Sequence, residues 1–352
     1  SEAGLQNTPR AWNILAPVII SFTSYPSRIG YVSQVVESLF NQTVKVDKIL
    51  LWLAESQFPH KEKDLPNDLI SCVNKGLEIR WCDDIGPHKK YFYAMQEFPD
   101  SIIITVDDDV RYSNRLVETL LNSYVQYPFA VSAMRAHVIT FEPDGSISPY
   151  SKWQREYGVV GKPSLALCAT GVGGVLYPPR IMSKELFNKR VIQETCLKAD
   201  DLWLKIMQTI TLTPVVVASK PQKLDYIEGS QEEALWKTND KVGGNDIQLS
   251  NILKKYDTYW SNTDTLTKRI WLSYLFLDKP ASEINIKRLK QELKDTTAQL
   301  QAIHKSYSYR IGRLITFIPR KIRGGIYCCR DHGLSYTLRR MVEQWKIYFS
   351  TK

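Results

Sequence analysis

The sequence has no apolar run long enough to cross a bilayer as a helix. Its six cysteines (Cys72, Cys82, Cys168, Cys196, Cys328 and Cys329) form no CxxC pair and show no small-domain spacing, so free thiols in a reducing compartment are expected. Histidine is scarce, with five in all and none between His137 and His304. No His/Cys cluster is available to supply zinc. Neither GxGxxG nor a P-loop is present, and no twelve-residue EF-hand loop with its glycine and terminal glutamate. The opening "SEAGLQNTPRAWNILAPVII" lacks a basic stretch followed by an apolar one, so no secretory signal is expected.

The 352 residues are 43% hydrophobic and 24% charged, enough for a large core and a second unit. The net charge of +9 is confined to one end. Residues 304–352 hold eleven Lys/Arg against two Asp/Glu, and the rest of the chain is neutral. The body therefore has no electrostatic reason to seek a polyanion, and no nucleic-acid partner is expected.

The first half alternates apolar β-branched runs with helix-periodic stretches. "PVIISFTSYPSR" reads as a buried parallel strand and loop. "IGYVSQVVESLFNQ" places Val32, Val35, Val36, Leu39 and Phe40 at helical spacing. "KVDKILLWLA", "LEIRWCDD" and "SIIITVDDD" read as further strands. This pattern predicts an α/β fold with a mostly parallel sheet. Three strands end in polar clusters: Thr23-Ser24, Asp83-Asp84 and Asp107-Asp108-Asp109. Ligands of such sheets bind at the carboxyl ends of strands, so the acids belong at a binding edge.

Further on, "NRLVETLLNSYVQYP" predicts a helix, "FAVSAMRAHVITF" a strand, and "ETCLKADDLWLKIMQ" a helix with Asp200 and Asp201 near its start. Acids there either complement the helix dipole or do chemistry. Gly171, Gly173 and Gly174 allow close backbone approach to a ligand, or a bulge. Trp153, Tyr157 and Trp203 are either stacking platforms for a sugar or core residues. A boundary is expected near residue 280. Over 281–303, Ile286, Leu293 and Leu300 recur every seven residues, with Leu289 and Ile303 interleaved, as a short heptad that could pair copies of the chain or as a packed amphipathic helix. The basic tail 304–352 carries Tyr307, Tyr309, Phe317, Trp345, Tyr348 and Phe349. It suits either a helix lying on an anionic membrane or helices docked on the protein.

Three acids after a strand make a solvated turn, an acid/base pair or a divalent-metal site. Asp107 and Asp109, two apart, face the same way if the segment stays extended. Mn²⁺ or Mg²⁺ needs only one or two carboxylates when phosphates and waters complete the shell.

In order along residues 15–260, "VIISFTSYPSR", "WCDDIGPHKK", "IITVDDDV", "ATGVGGVLYPP" and "KADDLWL" resemble the elements of GT-A glycosyltransferases of the family 2 type. The likeness is nearest to bacterial enzymes that build surface polysaccharides. The resemblance implies a GT-A, Rossmann-like, mostly parallel sheet flanked by helices over 1–280, with a helical C-terminal extension. It implies a hexosyltransferase using a nucleotide-sugar donor, most commonly a UDP-sugar, and a glycan or lipid-linked acceptor. Thr23, Tyr25 and Arg28 would form the base-binding loop, Asp84 the acid for base or ribose, and Lys89 or Lys90 the phosphate contact. Asp107 and Asp109 would hold ribose and metal, with Asp108 between them. Asp201 would be the catalytic base of an inverting reaction, with Asp200 its acidic partner. The late histidine that often completes the metal site is missing, and Asp246 or water would replace it. The implied location is cytoplasmic, peripheral on the cytoplasmic face of the inner membrane. A nucleotidyltransferase and a non-catalytic sugar- or nucleotide-binding protein are the other readings; "TSYPSR" lacks the glycines of the former.

Overall fold

The computed structural model describes residues 14–230 and 243–277. The chain divides into two units, Ser1–Asp278 and Lys279–Lys352. The heptad at 281–303 and the basic tail at 304–352 lie outside the described residues.

The elements follow in order: β1 (Val18–Thr23), α1 (Val32–Phe40), β2 (Lys48–Ala54), α2 (Asn67–Val73), β3 (Leu77–Cys82), α3 (Lys89–Glu97), β4 (Ile102–Thr105), β5 (Val110–Arg111) and α4 (Leu116–Gln126). Then come β6 (Val131–Ala133), β7 (Ala136–Val138), β8 (Leu167–Ala169), β9 (Val175–Tyr177), α5 (Lys189–Thr195), α6 (Asp200–Ile210), β10 (Val215–Val217) and β11 (Asp225–Tyr226). Two further helices, α7 (Gly244–Tyr256) and α8 (Leu266–Leu275), complete them.

Seven strands form the main sheet in the order β10-β6-β9-β4-β1-β2-β3. All neighbours are parallel except β9, which runs antiparallel to both β4 and β6. The architecture is the mostly parallel sheet flanked by helices that the sequence predicts. Alternation along β1 explains the layering. Ile20 and Phe22 join the α1, α2 and α4 side chains on one face, while Ile19 meets Trp52, Ile103 and Ala94 of α3 on the other. A third cluster packs α5, α6, α7 and α8 over the β6-β9-β10 end. Full burial of each such side chain is worth about 1.5–3 kcal/mol.

Two local expectations are corrected. "FAVSAMRAHVITF" is not one strand. It breaks at Met134-Arg135 into β6, in the main sheet, and β7, which pairs with β8 in a separate ribbon. The break is held because Met134 N–H donates to Gly174 O (3.0 Å) and Thr170 N–H to Arg135 O (3.0 Å). Likewise "ETCLKADDLWLKIMQ" is not continuous: α5 stops at Thr195 and α6 starts at Asp200. Among the described residues, no helix is long and apolar enough to cross a membrane.

Candidate functional site

The carboxyl ends of β1, β3 and β4 open into a cleft of about 700 Å³. Thr23, Tyr25, Arg28, Asp84, Lys89, Lys90, Asp107, Asp108, Asp109, Asp200 and Asp201 all line it. The residues that the GT-A resemblance assigns to base, phosphate, metal and catalysis, Asp246 excepted, are thus brought to one place, from segments up to 178 positions apart.

The Asp107–Asp109 turn is built from both ends. Val106 N–H donates to Ser21 O, and Ile227 N–H to Asp109 O (2.9 Å), so the β5–β11 ribbon clamps the turn against β1. Tyr112, itself buried, accepts the Asp107 N–H at its hydroxyl (2.8 Å). The three carboxylates then find different partners. Asp108 accepts from the Ser24 hydroxyl (2.5 Å) and from Arg28 Nη1 (2.8 Å). Arg28 also pairs with Asp109 (3.0 Å). Burial pushes the Asp108 carboxyl up, even though Arg28 and Ser24 pull it back. Asp107 is the more open of the three and pairs with Lys90 Nζ (2.7 Å).

Lys90 is the hinge of the site. Its backbone oxygen accepts from Ser21 Oγ (2.6 Å), seating the first turn of α3 over β1. Its ammonium lies 2.7 Å from Asp107 and 2.8 Å from Asp200. Burial alone would lower its pKa, but Asp107, Asp200 and Asp201 together hold it well above the usual lysine range. Lys89 is occupied elsewhere, on Asp84 (2.7 Å), whose oxygens also accept from Gly86 N–H and from Gln57 Nε2 (2.9 Å each).

His88 sets the distance between these lysines and α6. The Cys196 carbonyl can only accept, so His88 Nε2–H donates to it (2.7 Å), and Nδ1 accepts from the Tyr91 hydroxyl (2.7 Å). Burial pushes this imidazole down to about 4, so it stays neutral. The same linker touches Gly86, where a Cβ would come within 2.8 Å of Leu197 O.

Burial pushes Asp200 up, but the charge of Lys90 beside it holds it below the usual aspartate value. Asp201 reaches the cleft floor and accepts the Gly171 N–H (3.0 Å). Burial and the neighbouring Asp200 charge push it up to about 8, with Lys90 opposing. The glycine is required here. A Cβ on Gly171 would sit 2.5 Å from Lys90 Nζ and 3.3 Å from the carboxylates of both Asp107 and Asp201. Close backbone approach is therefore the use of this glycine; Gly174, at φ +94°, serves the tight turn into β9.

Trp153, Tyr157 and Trp203 are 3%, 2% and 0% exposed, so of the two readings the core one holds and the stacking one does not. Asp246 is not beside the other acids: its carboxylate accepts the Tyr150 N–H (2.7 Å), and it does not line the cleft. Conversely, Gln57, Arg135, His137, Tyr150 and Arg155 line the cleft without having been singled out. Nothing in the local pattern around these five marks them.

Among the described residues, no three His, Cys, Asp or Glu side chains are grouped to hold a metal by themselves. The donor set instead fits a hard cation taken with a phosphate ligand. Asp107 and Asp109 are two carboxylates on one cleft wall, which suffices when substrate oxygens and waters supply the rest.

No protein-family model matches the chain, and no curated protein matches it. Three solved structures show what the fold is similar to. A mannosyltransferase from Pyrobaculum calidifontis, in complex with GDP-Man and Mn²⁺, aligns over 93% of this chain and 87% of its own, at 10% identity and a TM-score of 0.42. A 4-diphosphocytidyl-2C-methyl-D-erythritol synthase from Anaerococcus prevotii aligns over 64% of this chain and 96% of its own, at 12% identity and a TM-score of 0.40. Glucosyl-3-phosphoglycerate synthase from Mycobacterium tuberculosis, in complex with Mn²⁺, UDP-glucose and phosphoglyceric acid, aligns over 34% of this chain at 10% identity and a TM-score of 0.28. This chain spans only 43% of that synthase. With TM-scores below 0.5 and identities of 10–12%, these likenesses carry no argument about activity or substrate.

Proposed function

We propose that this chain is a glycosyltransferase that moves a sugar from a nucleotide-sugar donor, a UDP-sugar by preference, to a hydroxyl of a glycan or lipid-linked acceptor, with inversion. One observation carries the reading: the acids ending β4 and the acids starting α6 share one cleft and one lysine, Lys90.

The base and ribose would lie at the Thr23–Tyr25–Asp84 end of the cleft, and the diphosphate beside Lys90. Asp107 and Asp109 would hold the divalent cation, Mn²⁺ or Mg²⁺, which supplies positive charge where the leaving diphosphate becomes negative. Arg28 keeps the carboxylates of that wall fixed in place. Asp201 takes the proton of the acceptor hydroxyl as it attacks the anomeric carbon. Its raised pKa makes it a stronger base once ionised, and the Gly171 N–H orients the oxygen it uses. Asp200 stays ionised on Lys90 and does not compete for the proton.

Surface-polysaccharide assembly, a cytoplasmic site of action at the inner membrane, anchoring of the basic 304–352 tail on anionic lipid, and pairing of copies through 281–303 belong to the same proposal. Salt-sensitive sedimentation of the full chain with anionic liposomes tests the anchoring. A nucleotidyltransferase remains the competing class, and the glycine-free Thr23–Arg28 loop counts against it.

Thermal unfolding with UDP, GDP, CTP and dTDP, each with and without Mn²⁺, tests the proposal, followed by hydrolysis of UDP-sugars. A ligand at 100 times its Kd adds about 2.7 kcal/mol. A metal-dependent rise with UDP and slow release of free sugar are expected. Stabilisation by CTP alone, with pyrophosphate release, would overturn it.

A further inference from the structure

The acidic wall at the end of β4 comes with cations of the chain itself. Arg28 lies 2.8 Å from Asp108 and 3.0 Å from Asp109, and Lys90 Nζ lies 2.7 Å from Asp107. With 28% of its side chain exposed, Asp107 opens more to the cleft than the other two. It is the carboxylate of the turn that a divalent cation reaches first, and it is the one that Lys90 holds. An ammonium and a hard divalent cation both take carboxylate lone pairs, and two positive charges on one carboxylate repel each other.

The two ion pairs of Lys90 are unequal. The side chains of Lys90 and Asp200 are 6% and 11% exposed, so parting them would leave a buried charge without its partner. The contact with Asp107 faces the cleft, where a dissolved anion can replace it at small cost. Nor can the lysine withdraw. Its backbone oxygen accepts from Ser21 Oγ (2.6 Å), which fixes the start of α3 on β1, and Gly171 closes over Nζ so tightly that a Cβ there would come within 2.5 Å. The ammonium therefore stays in the cleft and can only exchange one anion for another. A phosphate oxygen is well suited to that exchange, because charge-assisted bonds to it match those to a carboxylate.

We propose that Lys90 is a resident counter-cation that holds Asp107 against a divalent metal ion until a phosphate group of the incoming ligand draws the ammonium away, so that the metal enters with or after that ligand. Naming the ligand a nucleotide-sugar rests on the glycosyltransferase reading; the contest between ammonium and metal for Asp107 does not. Lys90 keeps Asp200 throughout, and Asp107 is the partner it gives up.

The test measures Mn²⁺ bound to the full chain, read from the loss of the free-ion EPR signal. The wild-type chain should bind Mn²⁺ weakly alone and tightly with UDP. Lys90→Gln keeps an N–H for Asp107 and Asp200 but drops the charge, and should tighten nucleotide-free Mn²⁺ binding about tenfold or more. The same variant should weaken metal-free UDP binding several-fold. Lys90→Arg keeps the charge and should bind Mn²⁺ as the wild type does. Adding Asp107→Asn to Lys90→Gln should abolish the gain, which locates it at that carboxylate. Lys89→Gln removes a neighbouring cleft lysine, held on Asp84 (2.7 Å), and should leave Mn²⁺ binding unchanged. Tight binding of Mn²⁺ to the wild-type chain without nucleotide overturns the proposal, and that arm needs no variant. So does a Lys90→Gln chain, folded by near-UV circular dichroism, that gains no Mn²⁺ affinity, or an equal gain in Lys89→Gln. If UDP and Mn²⁺ bind the wild type together while Lys90→Gln gains nothing, the donor-site reading stands and the competition fails. If Lys90→Gln gains the metal and inorganic pyrophosphate binds but UDP does not, the competition stands and the transferase reading fails.

Discussion

At the end of β4, Asp108 and Asp109 share the guanidinium of Arg28, and Asp108 also takes the Ser24 hydroxyl. At the start of α6, Lys90 is the one cation that Asp200 and Asp201 share among the described residues, and Lys90 is already committed to Asp107. Both are runs of adjacent aspartates at the mouth of one cleft. The first is held in place by a cation of its own. The second is short of positive charge, so one member keeps its charge and the other holds a proton up to about pH 8. The supply of cations, not the residue type, separates carboxylates fixed in ion pairs from a pair of which one member takes up a proton.

The widest separation between the two clusters should come from Asp201→Asn. Turnover is expected to fall about 10²–10⁴-fold, the usual loss for a general base, while UDP–Mn²⁺ affinity holds. If Asp200→Asn is the inactive variant and Asp201→Asn is active, the roles of the pair are exchanged.

Arg28→Met attacks the other cluster through stability. It removes one partner from each of two buried carboxylates, and breaking a buried ion pair costs about 3–5 kcal/mol. Chemical denaturation would show it as a lower midpoint at unchanged slope. A loss under 1 kcal/mol would mean that the Asp108–Asp109 wall does not depend on Arg28.

Asp107→Asn should be gentler on the fold, since Asp107 is the most open of its three. Its effect belongs in the ligand: the Mn²⁺-dependent part of UDP stabilisation, about 2.7 kcal/mol at 100 times Kd, should disappear. Retention of that increment would remove Asp107 from the metal site.

The smallest effect is a slope. Asp201 must be ionised to accept a proton, and its carboxyl is pushed up to about 8. The kcat/KM for transfer should therefore rise about tenfold per pH unit below that value and level off above it. A profile already flat from pH 6 to 9 would show that Asp201 is ionised throughout, or is not the base.

Much of this site was legible beforehand, for a local reason. β1, β2 and β4 are apolar because both faces of a parallel sheet are covered, and a polar cluster closing such a run marks the end from which ligands are reached. The same local logic failed where tertiary bonds override it. Nothing in "FAVSAMRAHVITF" announces that hydrogen bonds from Met134 to Gly174, and from Thr170 to Arg135, will break it in two. Trp153 and Trp203 have the aromatic character of sugar platforms, and only packing puts them inside.

By itself the sequence determined the strands β1 to β4, the edge where the aspartates gather and the segments that meet there, because periodic burial and strand-end polarity are written within a few residues. Only the tertiary structure decided which cation meets which acid: Arg28 with Asp108 across 80 positions and Lys90 with Asp200 across 110. Charge interactions and desolvation depend on distances of a few ångströms between groups far apart in the chain. Whether an aspartate binds, neutralises or takes a proton is set by those distances, which exist only once the sheet has formed.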